Sequence, residues 1–276
     1  MFTRRTLLSH GLALLGGVRF LRDLTKAIFD PPMIYTFQEE FDGPAGSAPD
    51  PSKWRYDLGR WADNDELETY TDSRANSYLD GNGNLVIKAI KVTERGGRSR
   101  RVTYTSARLQ TQDTFSQTYG TWEARIKVDL ATGTWPAWWT IGESYSAVGW
   151  PRCGEIDMVE VYGQRGWPAD STVHVASTSD GDDISKVTSI PGGVDTDWHV
   201  YRLVWDASSM KFYFDPAQNP VPYQTVTPTD LPSWPFGSEN PQFMILNLAV
   251  GGRGGGRVPA SFKSATLLVD YIRVSR

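Results

Sequence analysis

From residue 33 onward, apolar and polar positions in this 276-residue chain alternate with a period of two. The stretch TWEARIKVD is the clearest instance. Trp122, Ala124, Ile126 and Val128 fall on one face of an extended chain and Glu123, Arg125, Lys127 and Asp129 on the other, which predicts a half-buried strand. Similar segments recur at 34–41, 84–92, 102–112, 171–177, 198–206, 210–215, 242–250 and 266–274, separated by clusters of Gly, Pro, Asn and Asp. Beyond the N-terminal segment no stretch has the 3.6-residue period of a helix. Many strands of similar spacing, with no repeat and no Pro- or Ser-rich linker, predict a single all-β domain over 33–276. Its expected form is a jelly-roll β-sandwich of two antiparallel sheets, one of them offering a concave cleft.

One strand departs from simple alternation. PRCGEIDMVEVYG (151–163) carries Glu155, Asp157 and Glu160 in an otherwise apolar run. Glu155 and Asp157 share a strand face, whereas Glu160, five positions after Glu155, points away. A β-bulge around Met158 and Val159 would return Glu160 to the common face. The apolar neighbours Ile156, Met158 and Val159 argue against an edge strand that merely shows its acids to solvent. Three carboxyl groups on one face suit hydrolysis of a glycosidic bond with retention, where one carboxylate attacks and another acid, about 5 to 5.5 Å away, protonates the leaving oxygen. Asp157, between them, would push the two pKa values apart.

The aromatic content reinforces a sugar-binding reading. The chain holds 11 Trp, 12 Tyr and 11 Phe, more than a core alone needs, and exposed indoles suit the flat C–H faces of sugars. GTWPAWWTIGE (133–143) contains adjacent Trp138 and Trp139, of which alternation sends one inward and the other to the cleft.

Charge and cysteine usage remove other classes. A net charge of −4 and a pI near 5.5 argue against nucleic-acid or anionic-membrane partners. The one basic cluster, RGGRSRR at 95–101, reads as a solvated hairpin tip. Cys153 stands alone, which excludes an intramolecular disulfide and a multi-cysteine zinc site. His10, His174 and His199 lack metal-ligand spacing, and GGRGGGR (251–257) reads as a flexible turn rather than a phosphate cradle. Paired Arg4 and Arg5 before the apolar run Gly11–Val18 predict a twin-arginine-type export signal and linker over 1–32, hence an exported protein. No later run has the length of a membrane span.

GEIDMVE, with GTWPAWW upstream and TVH, DWHVYRLVW, LNLAVGG and LVDYIRV downstream, resembles glycoside hydrolase family 16 over nearly the whole chain from Phe37. The resemblance is to the laminarinase-like endo-β-1,3-glucanases in particular, whose active-site strand has the bulged E-x-D-x-x-E form. It implies retaining cleavage of internal β-1,3 bonds in a polysaccharide by a monomer that needs no cofactor for the reaction. It implies Glu155 as nucleophile, Asp157 as assisting acid and Glu160 as general acid/base, with His174 close to the same cleft. Trp135, Trp139 and Trp150 match sugar-subsite aromatics, and Arg74, Asn76, Arg108 and Asn247 match positions that contact hydroxyls. A structural calcium ion is implied on the convex side, held by the Asp270 carboxylate and backbone oxygens near Glu39 and Gly83. The chain reads RGGGRVP where many relatives have a Trp-Pro-Gly turn, so one rim of the cleft is expected to be more open. Alternatives are action on a galactan or mixed-linkage glucan, transglycosylation through the same intermediate, and a non-catalytic carbohydrate-binding jelly roll.

Overall fold

The computed structural model describes residues 34–61, 64–96 and 99–276. The expected export signal and the extreme tip of the basic hairpin, residues 97 and 98, lie outside the described residues. Thr36–Arg276 form one compact unit.

In chain order the strands begin with β1 (Tyr35–Glu39), β2 (Arg55–Tyr56), β3 (Glu68–Tyr70), β4 (Ser77–Leu79), β5 (Leu85–Gly96) and β6 (Ser99–Ser106). They continue with β7 (Arg108–Gln110), β8 (Gly120–Val128), β9 (Thr134–Gly142), β10 (Glu155–Val161), β11 (Ala169–Ala176) and β12 (Asp183–Ser189). The last are β13 (His199–Trp205), β14 (Met210–Phe214), β15 (Gln224–Val226), β16 (Gln242–Val250) and β17 (Ser264–Ser275). A ten-stranded sheet runs β15-β14-β13-β8-β17-β5-β6-β3, with β1 beside β17 and β4 beside β5, and a seven-stranded sheet runs β12-β11-β10-β9-β16-β7-β2. The two form a β-sandwich of jelly-roll type. One pairing corrects the expectation of purely antiparallel sheets: β3 lies parallel to β6, with Thr69 opposite Thr105. β5 and β6 form a hairpin, and β3 meets its outer edge without being joined to β6 by a tight turn.

Alternation places the core where the pattern predicts it. Trp122, Ala124, Ile126 and Val128 of β8 are all buried, and they join Trp138 of β9 with Met244, Leu246 and Leu248 of β16 in one cluster between the sheets. Each large apolar side chain buried there contributes roughly 1.5–3 kcal/mol, which fixes the sheet that carries the outward-facing residues.

Two one-turn helices, α1 (Tyr145–Val148) and α2 (Gly252–Gly255), depart from the helix-free expectation, because four residues are too few to show a period. α2 occupies the glycine run expected to be a flexible turn. Gly254 and Gly255 are buried, and a Cβ on Gly254 would fall 2.1 Å from the Trp135 indole. The glycines therefore let the backbone lie directly against that ring.

Candidate active site

The outer face of the seven-stranded sheet carries a cavity of about 520 Å³. Alternate residues build it: Trp135, Ala137, Trp139 and Ile141 from β9, Phe243, Ile245 and Asn247 from β16, and Arg108 and Gln110 from β7. Trp138, between two of these, points into the core, so the adjacent tryptophans divide as alternation requires.

Glu155, Asp157 and Glu160 also line the cavity. Asp157 lies opposite Trp139 but Val159 opposite Trp138, so β10 spends one residue more than β9 over this step, and Glu160 comes to lie opposite Ala137. The register against β11 shifts in the same interval. This bulge, with Met158 as the extra residue, gives the three acids the partners Ile141, Trp139 and Ala137, alternate residues of one face. Gly154, just before the strand, has φ +75°, and a Cβ there would meet the Phe236 ring at 2.6 Å.

Asp157 and Glu160 are 2% and 8% exposed, while Glu155 keeps more of its surface open. One oxygen each of Glu155 and Asp157 and a ring nitrogen of His174 lie within 4.8 Å of one another. His174 Nε2 is 3.4 Å from Asp157 Oδ2, and its Nδ1 is 2.9 and 3.0 Å from the two oxygens of Asp183. Trp135 Nε1–H donates to Glu160 Oε1 at 3.0 Å and the Tyr162 hydroxyl to Oε2 at 2.8 Å.

Burial, then the charge of Asp157, pushes Glu160 up to about 8, although the two donors and His174 favour its anion. Burial and Asp157 likewise hold Glu155 well above the usual carboxylate range, with His174 opposing them. Burial works against a charge on His174. The bonds to Asp157 and Asp183, with the charge of Glu155, outweigh it and raise the imidazole to about 11.

The walls are cross-braced. Trp139 Nε1–H donates to Asn247 Oδ1 at 2.8 Å, Asn247 Nδ2–H donates to the Tyr70 hydroxyl at 3.0 Å, and that hydroxyl donates to Glu66 Oε2 at 3.4 Å. The Arg108 guanidinium lies between the rings of Trp61 and Trp139, at 4.7 and 4.9 Å, and 3.0 Å from Asp57. Trp150 is 45% exposed at the mouth.

His174 lies close to the cleft as expected, behind Asp157 rather than in the cavity lining, with the Trp150 ring 6.0 Å away. Two expectations need correction. Asn76 is buried, its amide donating to the Lys88 carbonyl and Thr105 Oγ1, which makes it a clip of the ten-stranded sheet rather than a sugar contact. Arg74 is spent on the Tyr56 hydroxyl at 2.6 Å and on the Asp72 carbonyl, also outside the lining. Of the expected calcium donors, the Asp270 carboxylate is paired with Arg125 at 2.7 Å, and the others are backbone oxygens near Glu39 and Gly83. The residues that pattern reading missed are Trp61, Tyr162, Glu66 and Asp183. ELE at 66–68 repeats the alternate-acid spacing of 155–157 and could have drawn attention to Glu66, whereas Asp183 opens a polar edge strand that gives no signal.

The chain matches the glycosyl hydrolases family 16 over residues 64–273. A β-glucanase of Rhodothermus marinus is 36% identical over 256 residues, covering 87% of this chain and 84% of that one. The catalytic domain of an endo-1,3-β-glucanase (laminarinase) from Thermotoga petrophila superposes with a TM-score of 0.73 at 33% identity, over 88% of this chain and 98% of that one. A Mycobacterium tuberculosis protein described as an immunostimulatory antigen and pseudo β-1,3-glucanase gives 0.72 at 38% identity, over 87% and 98%. With its bulged acid strand set in an aromatic cleft, the chain belongs to glycosyl hydrolases family 16.

Proposed function

We propose that the protein is a retaining endo-β-1,3-glucanase, acting as a monomer on internal bonds of a laminarin-like glucan. The observation that carries this reading is the bulge, which turns Glu155, Asp157 and Glu160 onto one face at the floor of an aromatic cleft. Similarity to laminarinases supports the β-1,3 linkage. In the first step the Glu155 carboxylate attacks the anomeric carbon, the glycosidic C–O bond breaks, and Glu160 gives its proton to the leaving oxygen. In the second, Glu160 takes a proton from water, the water oxygen attacks the same carbon, and Glu155 departs as carboxylate. A carboxyl held near 8 is still protonated at neutral pH, as a general acid must be. Glu155 attacks as the anion, a form that burial and the charge of Asp157 oppose and the nearby His174 favours. Only carboxyl groups and water are needed.

Product analysis against β-1,3-, mixed-linkage and galactan polymers, with proton NMR of the first reducing ends, tests this reading. We expect oligosaccharides from the β-1,3-glucan, released first as the β-anomer. Initial α-anomer would mean inversion and a different partner acid. Binding without cleavage would favour a non-catalytic glucan-binding role, the alternative that a pseudo-glucanase relative makes concrete. Export rests on Arg4 and Arg5; replacing both with Lys should leave the protein in the cytoplasm.

A further inference from the structure

We propose that Asp183, on the edge strand β12, is a positioning residue for the reaction: its carboxylate clamps Nδ1 of His174 so that the imidazole stands as a cation with Nε2 directed at Asp157. The inference rests on the reading of Glu155, Asp157 and Glu160 as the reacting acids.

Register makes the clamp possible. On β11 His174 lies opposite Glu155 of β10 on one side and Ser185 of β12 on the other. Asp183, two residues before Ser185, shares its face and reaches His174 on the diagonal. Both Asp183 oxygens lie within hydrogen-bond distance of Nδ1. A carboxylate accepts and cannot donate, so this contact fixes the proton on Nδ1. Nε2 then faces Asp157 Oδ2, a buried oxygen with no other hydrogen-bond partner, at 3.4 Å. An imidazole carrying both protons satisfies the two acids at once. β10 brings Glu155, Asp157 and the more distant Glu160 to this side, β12 brings Asp183, and the Trp150 ring lies 6.0 Å away. The charged groups named here are all acids, and one cation among them offsets the repulsion that ionising Glu155 must overcome. Asp183 is not among the residues that line the cavity, so its loss should act on the chemical step and not on sugar binding.

The test uses the full-length protein. In Asp183→Asn, kcat on β-1,3-glucan should fall about tenfold or more, with KM within about twofold. The same change on a His174→Gln background should cost nothing further. Nitrogen-15 NMR, assigned by the His174→Gln spectrum, should find His174 doubly protonated through pH 9 in the wild type and titrating at least one unit lower in Asp183→Asn. Asp183 is exposed enough that this substitution leaves the fold intact. Wild-type His174 titrating near 6.5, an unchanged kcat, or an additive loss on the His174→Gln background would each overturn the clamp. Full activity in Glu155→Ala would sink the functional reading instead, and the His174 titration would still decide the clamp independently.

Discussion

Acids at alternate positions occur twice around the cleft, as Glu155 and Asp157 on β10 and as Glu66 and Glu68 at the start of β3. Asp157, Glu66 and Glu68 are buried and Glu155 is partly so, and burial raises a carboxyl in each set. Glu68 is pushed up to about 8, first by burial and then by its hydrogen bond to Glu66 and the Glu66 charge, which matches the position of Glu160. They differ in what surrounds them. The β10 set has a cation, His174, and opens on the cavity through Glu155. Glu68 is fully buried, and its oxygen accepts the Val250 backbone N–H at 2.6 Å, which ties the β3 segment to the end of β16. A raised carboxyl is therefore not a mark of chemistry by itself. Glu66 of the β3 pair also lines the cavity, so the counter-cation His174, rather than access alone, separates the reacting acids from that pair.

The sharpest way to break this distinction is to remove one acid from each set. Glu155→Ala should lower kcat on β-1,3-glucan by on the order of 10⁴-fold or more, since no other carboxylate is placed to attack. Glu68→Gln should leave kcat within about twofold. Comparable losses in both variants would mean that the β3 pair takes part in the reaction.

Glu160→Ala should cost about 10² to 10⁴-fold on polysaccharide, where the leaving oxygen needs a proton, and much less for forming the intermediate from an activated aryl β-glycoside. Azide, which needs no general base, should restore turnover and yield a β-glycosyl azide. The wild-type kcat/KM should decline as pH rises through about 8, because Glu160 loses the proton it must donate, and Glu160→Ala should lack that limb on the activated substrate. Rescue of Glu155→Ala to an α-azide, with Glu160→Ala inert on every substrate, would reverse the two assignments.

For Glu68 the readout is stability. Its folded pKa lies above the unfolded value near 4.5, so its contribution is complete below that value and is lost as pH rises through about 8. Over that window the loss is on the order of a few kcal/mol. Glu68→Gln keeps a donor toward Glu66 and carries no charge, so denaturant unfolding at pH 5 and pH 8.5 should differ less in the variant than in the wild type. An equal pH dependence in both proteins would show that the proton is held elsewhere.

Much of the floor was legible because a strand face obeys a rule of two. The parity of Glu160 required an extra residue, and the structure has it at Met158. Trp138 and Trp139 separated for the same reason. What pattern could not supply was diagonal reach between strands. The contact of Asp183 with His174 depends on the register of β11 against β12, and the parallel meeting of β3 with β6 depends on a path between sheets that no local periodicity records. Asn76 and Arg74 misled because a polar side chain in a turn looks the same in sequence whether it faces a ligand or its own backbone.

The smallest expected effect lies in the cleft wall and sharpens the contrast with the floor. Trp139→Phe keeps a ring against the Arg108 guanidinium but loses the indole N–H that donates to Asn247. Asn247 then keeps only its bond to the Tyr70 hydroxyl and is free to turn, so the wall loses a brace worth about 1 kcal/mol, or roughly fivefold in KM. The indole N–H is spent on Asn247 and not on Glu155, Asp157 or Glu160, so kcat should hold steady while KM rises. Glu66→Gln, one link further along through Tyr70, should move KM in the same direction by less. Initial-rate kinetics on a β-1,3-oligosaccharide series separate the two constants. A fall in kcat at constant KM would mean that Trp139 stabilises the transition state itself and belongs with the floor rather than the wall.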